Sequence, residues 1–135
     1  MQYSIQRQLS IALENKPGRL ATIAGLMARQ GINIRDLCVI DNIEQGVIRL
    51  IPSDPAACRD LLKQANYFVV EADVLVLILK DYPGQMETVC EALDEAGVNV
   101  EYAYGSEDAK EEEARIVFKV SNMAEAIRVI SGLGS

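Results

Sequence analysis

The sequence predicts an α+β fold made of two copies of one structural unit. An Asn-x-Pro-Gly loop at 15–18 returns as Asp-x-Pro-Gly at 81–84, and Gly-Ile-Asn-Ile at 31–34 returns as Gly-Val-Asn-Val at 97–100. Both motifs recur after 66 positions, which indicates that a whole unit has been duplicated and not one loop. Because each half of about 65 residues is marginal as a lone domain, we expect the halves to pack against each other.

The first half begins with a strand and a helix. Apolar residues alternate with polar ones from Gln6 to Leu13, which is typical of a strand with one buried face. Pro17 is suited to begin a helix, and the apolar residues over 20–28 follow helical spacing. Gly31 provides the stop that glycine commonly supplies just beyond a helix.

A hairpin, a second helix and a final strand complete this unit. Strands are predicted over 32–40 and 47–51, joined by a short turn. Ser53 or Asp54 is suited to cap a helix that begins with the following proline. The last strand of the unit is predicted over 67–70.

The second half repeats this order. Its predicted elements are a strand at 74–79, a helix at 83–96, strands at 98–104 and 115–120, and a helix from about 123 to 131. Met86, Val89, Cys90 and Leu93 have the spacing of an inward helix face. The order strand, helix, strand, strand, helix, strand is that of the ferredoxin-like fold, an antiparallel sheet with both helices on one face. The second unit has no obvious final strand, so we expect its sheet to be one strand short.

Composition excludes several classes of function. The chain of 135 residues is 50% hydrophobic and 24% charged, as in ordinary globular proteins. Its net charge of −7 and scattered basic residues argue against nucleic acid. No signal sequence opens the chain, and its longest apolar run, 74–79, is too short to cross a bilayer. We therefore expect a cytoplasmic protein that binds neither nucleic acid nor membrane.

The inventory of reactive side chains is small. The sequence contains no histidine, which removes the commonest metal ligand and general base. Cys38, Cys58 and Cys90 lack CxxC spacing, so we expect small buried hydrophobic residues, with neither a disulfide framework nor a metal site.

The duplicated motifs resemble those of the ACT domain, a small regulatory module that binds amino acids. The resemblance rests on the Asn/Asp-x-Pro-Gly loop, a Leu or Met two positions after its glycine, and the Gly-Ile/Val-Asn-Ile/Val segment. It covers nearly the whole chain twice, as repeats at 1–71 and 72–135. It is greatest to stand-alone proteins that contain tandem ACT domains.

This resemblance implies a ligand site where ACT units meet, formed by the loop before the first helix and the start of the second strand. The corresponding residues are Asn15, Lys16, Pro17, Gly18, Arg19, Leu20, Asn33, Ile34, Asp81, Tyr82, Pro83, Gly84, Gln85, Met86, Asn99 and Val100. It further implies a free amino acid as ligand, a homodimer, and a metabolic enzyme regulated in trans. No catalytic residue, metal or cofactor is implied. The apparently missing strand also favours a homodimer, because it leaves a sheet edge exposed.

The chemistry of these residues suits a zwitterion. A helix N-terminus has unpaired N–H groups, and Gly18 or Gly84 lets a carboxylate approach that backbone closely. The amides of Asn33 and Asn99 offer an acceptor for an ammonium group and a donor for a carboxylate. The structural alternatives are that Pro-Gly merely suits the start of a helix, and that the asparagines bond local backbone.

The two copies also differ. Asn15 stands where the second copy has Asp81, and Arg19 where it has Gln85, so the two sites need not share a ligand or both be active.

Other polar and aromatic residues allow two interpretations. Tyr82, Tyr102 and Tyr104 could shield a ligand at the second site, or the latter two could belong to a sheet surface or subunit contact. The acidic run at 107–113 could hold a divalent ion, but its spacing matches no metal loop, and a solvated hairpin loop explains it better.

Three functions follow from these observations. The leading hypothesis is a non-catalytic amino-acid sensor that acts through oligomerisation or a partner enzyme. A structural interaction module without a ligand is the second. The third is a small enzyme that uses Cys38 or Asp81 with Lys80, although no pair of base and nucleophile is visible.

Overall fold

The computed structural model describes residues 1–14, 16–41, 45–108 and 112–133. The elements formed by these residues are β1 (Gln2–Leu13), α1 (Arg19–Arg29), β2 (Ile34–Asp41), β3 (Gly46–Pro52), α2 (Pro55–Gln64), β4 (Val69–Lys80), α3 (Gln85–Glu95), β5 (Val100–Asp108), β6 (Glu113–Val120) and α4 (Met123–Gly132). None of these four helices combines the length and the apolar character that a membrane-spanning helix needs.

The chain forms two compact units. The first unit is Arg7–Ala72, and the second unit is Asp73–Ser135 together with Met1–Gln6. The predicted repeats at 1–71 and 72–135 stay a prediction, since these units assign the first six residues differently.

The first unit has the predicted ferredoxin-like arrangement. Its strands lie in the order β2, β3, β1, β4, and β3 pairs antiparallel with both β1 and β2. Alternate residues of β1 enter a core with one face each of α1 and α2. The buried members of this core are Leu9, Ile11, Leu13, Ile23, Met27, Ile32, Ile48, Leu50, Cys58 and Leu62.

The second unit has the equivalent arrangement. Its strands lie in the order β5, β6, β4, with β6 antiparallel to both of its partners, and β1 follows β4. Its buried core residues are Leu75, Leu77, Leu79, Val89, Leu93, Val98, Phe118, Val120, Ala126 and Ile130. Each unit therefore buries its own core.

The N-terminal segment supplies the strand that the second repeat appears to lack. No described residue after α4 forms a strand. Met1–Gln6 belongs to the second unit, and β1 is the strand next to β4. The sheet of the second unit is therefore not one strand short as predicted, because the start of β1 takes the position beside β4. Tyr3 and Ile5 alternate with polar residues, which is a pattern typical of a strand. The sequence prediction, which begins this strand at Gln6, does not include them.

Two predicted strands are one. The single 12-residue strand β4, Val69–Lys80, contains residues 69 and 70 of the first predicted segment and all of the second, 74–79. The three residues between them contain no glycine or proline, so nothing in the backbone requires a turn there.

Helices α1 and α3 begin two residues later than predicted. Pro17 and Pro83 lie in turns, and the helices begin at Arg19 and Gln85, because the intervening glycine of each Pro-Gly pair has positive φ.

The inward face of α3 is narrower than predicted. Val89 and Leu93 are buried, whereas Met86 and Cys90 are exposed. Residues four apart share a helix face, while Cys90 lies about 100° round from Val89. The expectation that the cysteines are buried is accordingly correct for Cys58 and wrong for Cys90.

Candidate functional site

The two Pro-Gly loops have the same backbone geometry. Gly18 has φ 87° and ψ −6°, and Gly84 has φ 96° and ψ −14°. Thr22 Oγ1 donates a hydrogen bond of 2.9 Å to the Gly18 carbonyl, and Thr88 Oγ1 donates one of 3.0 Å to the Gly84 carbonyl. These threonines are also 66 positions apart, so the repeat contained a signal for them that sequence reasoning missed.

The first turns of α1 and α3 have unpaired N–H groups. Neither helix receives a hydrogen bond from a capping side chain. The backbone N–H groups of Leu20 and Ala21, and of Met86 and Glu87, donate to no atom within the described part of the chain. Four exposed donors thus lie at helix ends with positive partial charge, an arrangement that binds anions.

The other two helices differ in this respect. Asp54 accepts a hydrogen bond of 3.1 Å from the N–H of Ala57 in α2, and Asn122 accepts one of 3.1 Å from the N–H of Glu125 in α4. Side-chain capping is therefore present at the helices that do not follow a Pro-Gly loop.

Asn33 and Asn99 have equivalent positions before β2 and β5. The backbone N–H of each donates 2.9 Å to a serine hydroxyl, that of Ser53 or Ser121 respectively. Both side-chain amides are exposed and bond no described residue. The interpretation that these amides cap local backbone is therefore wrong, because the serines perform that role.

A loop and an asparagine of the same unit do not lie together. Gly84 precedes α3 and Asn99 follows it, and this helix of 11 residues is about 16 Å long. The carboxylate and ammonium of a free amino acid share one carbon atom, so they cannot reach both ends of the helix. The predicted pairing of these groups where units meet stays a prediction.

Electrostatic surroundings distinguish the two loops. Glu14 lies 2.7 Å from Lys16 Nζ and 3.7 Å from an Arg19 guanidinium nitrogen. The hydrogen bond from Lys16 and the charges of both cations lower the pKa of Glu14. At the second loop, Gln85 Nε2 instead donates to the Tyr82 hydroxyl.

The remaining predicted residues have varied positions. Leu20 and Met86 are exposed beside the unpaired N–H groups. Ile34 and Val100 are partly buried and pack against the cores of the first and second units respectively. Asn15 lies outside the described residues.

Two further predictions concern residues near the second loop. Tyr102 and Tyr104 lie on β5 opposite Lys119 and Val117, whereas Tyr82 precedes α3. Part of the acidic run, 109–111, lies outside the described residues. Among the residues described, no group of three acidic, cysteine or histidine side chains is placed to hold a metal ion.

Comparison with known proteins decides the family. A family model described as the ACT domain pair matches residues 4–132. This chain belongs to the ACT domain pair family. A 34% identical solved structure, a protein of Bacteroides thetaiotaomicron, has a TM-score of 0.89, with 96% of this chain and 89% of that chain covered. The ACT resemblance and the predicted fold class are thus confirmed.

More distant proteins are also similar to this ACT pair. The regulatory subunit of aspartate kinase from Thermus thermophilus has a TM-score of 0.72 at 12% identity, with 100% of this chain and 99% of that chain covered, which shows a shared fold. The probable acetolactate synthase small subunit of Archaeoglobus fulgidus is 31% identical over 68 residues, 48% of this chain. The matched segment covers 43% of that relative's length, so this chain spans less than half of it.

Proposed function

We propose that this ACT pair is a non-catalytic regulatory protein that binds a free amino acid. The observation that carries the proposal is the duplicated loop geometry, which leaves two helix N-termini uncapped while α2 and α4 are capped by side chains. Unpaired N–H groups at both positions offer a carboxylate hydrogen bonds and a favourable helix dipole.

The free amino acid is proposed to regulate a metabolic enzyme in trans. Two similar proteins support this role by their names, one as the regulatory subunit of aspartate kinase and one as a probable small subunit of acetolactate synthase. We propose that the ACT pair acts on catalysis through a partner enzyme or through its own oligomeric state. We propose a cytoplasmic location on the grounds of composition.

We further propose a homodimer. Strand β2 of the first unit pairs only with β3 among the described strands, and its side chains Leu37 and Val39 are 42% and 55% exposed. An unpaired edge with apolar side chains is suited to a second copy. Sedimentation should show a dimer for the wild type and a monomer for Val39→Glu, and a monomeric wild type at tens of micromolar would contradict the proposal.

Thermal denaturation in the presence of each of the twenty amino acids tests the proposed function. At least one amino acid should raise the melting temperature, because a ligand that binds only the folded state stabilises it. The proposal fails if none does so up to millimolar concentrations.

Calorimetric titration of Asn33→Ala and Asn99→Ala tests the asparagine assignment separately. A variant that loses an ammonium partner should bind about tenfold to hundredfold more weakly, a cost of about 1–3 kcal/mol. Gln64→Ala, which removes an exposed amide from α2, is the matched control. Unchanged affinity in both asparagine variants would assign the ammonium to other residues.

A further inference from the structure

The second unit contains a cavity of about 530 Å³ beside the start of α3. This volume lies within the range of about 300–1,000 Å³ that is typical of small-molecule sites. Two of its lining residues, Tyr82 and Gln85, belong to the site predicted from the sequence. The polar residues that line it are Lys80, Tyr82, Gln85, Thr88 and Glu113, with Gln2 at one wall.

Opposite charges meet at this cavity without pairing. Lys80 at the end of β4 is directly opposite Glu113 at the start of β6. Neither side chain forms an ion pair with a residue in the described ranges. Residues opposite each other in an antiparallel pair have Cα atoms about 4.5–5.5 Å apart. An α-amino acid carries an ammonium and a carboxylate on one carbon and is suited to bridge this pair.

The other residues that line the cavity indicate which class of side chain the ligand has. Met1, Leu79 and Leu133 contribute apolar side chains, and Lys80 and Glu113 are the charged side chains among the described residues that line the cavity. The ring of Tyr82 is about half exposed, and its hydroxyl accepts a hydrogen bond from the Gln85 amide. These walls suit a ligand with an aliphatic side chain, because burial of apolar surface favours binding.

The first unit lacks the same constellation. Its residue equivalent to Lys80 in the 66-residue repeat is Glu14, and the equivalents of Tyr82 and Gln85 are Lys16 and Arg19. Glu14 is already paired with both of these cations. Among these equivalent described positions, an unpaired cation and an unpaired anion therefore lie together in the second unit and not in the first.

We propose that this cavity binds one aliphatic α-amino acid per chain, with Lys80 on its carboxylate and Glu113 on its ammonium. The inference deepens the function proposed above and rests on it, since it names the ligand class and the groups that hold the two charges. In this unit Glu113 takes the place that the sequence assigned to Asn99, which lies beyond the other end of α3.

Calorimetric titration of the full chain with L-leucine tests the ligand class. The expected stoichiometry is one per chain. L-Leucinamide lacks the carboxylate and 4-methylpentanoate lacks the ammonium, so each should bind at least about tenfold more weakly than L-leucine. If an amino acid with a polar, charged or aromatic side chain stabilises the protein and L-leucine, L-isoleucine and L-valine do not bind, the aliphatic class is wrong.

Charge variants test the site itself. Lys80→Gln and Glu113→Gln should each weaken L-leucine binding about tenfold to hundredfold. Lys80→Gln should also remove the preference for L-leucine over L-leucinamide, and Lys80→Arg should retain binding. Lys63→Gln and Gln64→Ala, at exposed positions of α2 in the first unit, are matched controls that should bind as the wild type does. Urea denaturation checks that every variant is folded.

The outcomes separate this inference from the proposed function. Wild-type affinity in both Lys80→Gln and Glu113→Gln, with amino-acid binding retained, would overturn the cavity assignment and leave the regulatory function standing. Absence of any amino-acid binding by the wild type would overturn both.

Discussion

Gly18 and Gly84 adopt a backbone conformation that other residues enter at a cost. Their φ values of 87° and 96° are in the left-handed region, yet an added Cβ would meet no atom within 4 Å. Backbone strain alone therefore opposes substitution, at about 1–2 kcal/mol. Gly84→Ala should lower the free energy of unfolding by this amount in equilibrium urea denaturation. Gly132→Ala, in α4 with equal space and no positive φ, is the control and should be neutral or stabilising.

The thiol of Cys58 makes the free energy of unfolding depend on pH in the alkaline range. It is fully buried, with its Sγ 3.2 Å from Met27 Sδ. Burial, assisted by the charge of Asp54, raises the pKa of Cys58 from 9.0 to about 11. Between these values the unfolded thiol ionises while the folded thiol stays protonated, so stability present below pH 9 is lost as pH rises toward 11.

Cys58→Ala checks this expectation. The variant should be less stable at neutral pH, since it leaves a cavity. Its stability should also fall less steeply than that of the wild type between pH 9 and 11 in urea denaturation. Parallel slopes for the two proteins would show that Cys58 does not titrate in this range.

Strand β5 depends on a close approach to β6 at Gly105. A Cβ at this position would clash with Ile116 Cδ1 and would lie 2.7 Å from the Arg115 carbonyl oxygen. The carbonyl belongs to the paired strand and cannot move away without breaking the ladder. Gly105→Ala should therefore lower the free energy of unfolding by about 1–3 kcal/mol, as overpacking does.

Gly46 in β3 provides the matched control for this strand. A Cβ there would lie 3.5 Å from the Ile40 carbonyl oxygen, an ordinary contact distance. Gly46→Ala should thus change stability far less than Gly105→Ala. Equal losses would mean that both strands require glycine for another reason.

The two units are formed from different numbers of chain segments, and we expect this difference to decide which fragment folds alone. The first unit, Arg7–Ala72, is one continuous segment that contains β2, β3, α1 and α2 with the end of β1 and the start of β4. The second unit needs Met1–Gln6 in addition to 73–135. We expect a 7–72 fragment to show cooperative urea unfolding by circular dichroism. A 73–135 fragment leaves an edge of β4 without its neighbour and should not fold cooperatively. Cooperative unfolding of the second fragment would show that the N-terminal segment is dispensable.

Local patterns in the sequence were sufficient for most of the fold. The 66-residue repeat is visible as two pairs of short matching motifs. The helix stops at Gly31 and Gly97 and the helix cap at Asp54 depend on residues that are close in the chain. For example, Ile32 N–H donates 3.0 Å to the Met27 carbonyl, and Val98 N–H donates 2.9 Å to that of Leu93, as expected for helices that end at glycine. Such interactions span only a few residues, so composition and spacing predict them.

The proposed ligand site depends on strand pairing between distant segments, which local sequence patterns do not predict. The sequence contains both Lys80 and Glu113, but only the register of β4 against β6 makes them opposite neighbours. Likewise, only the direction of α3 separates Gly84 from Asn99. Strand pairing joins segments that are distant in the chain, and its register is set by the packing of whole faces. The sequence alone thus determines the family and the loops, whereas the tertiary structure decides which charged groups share a cavity.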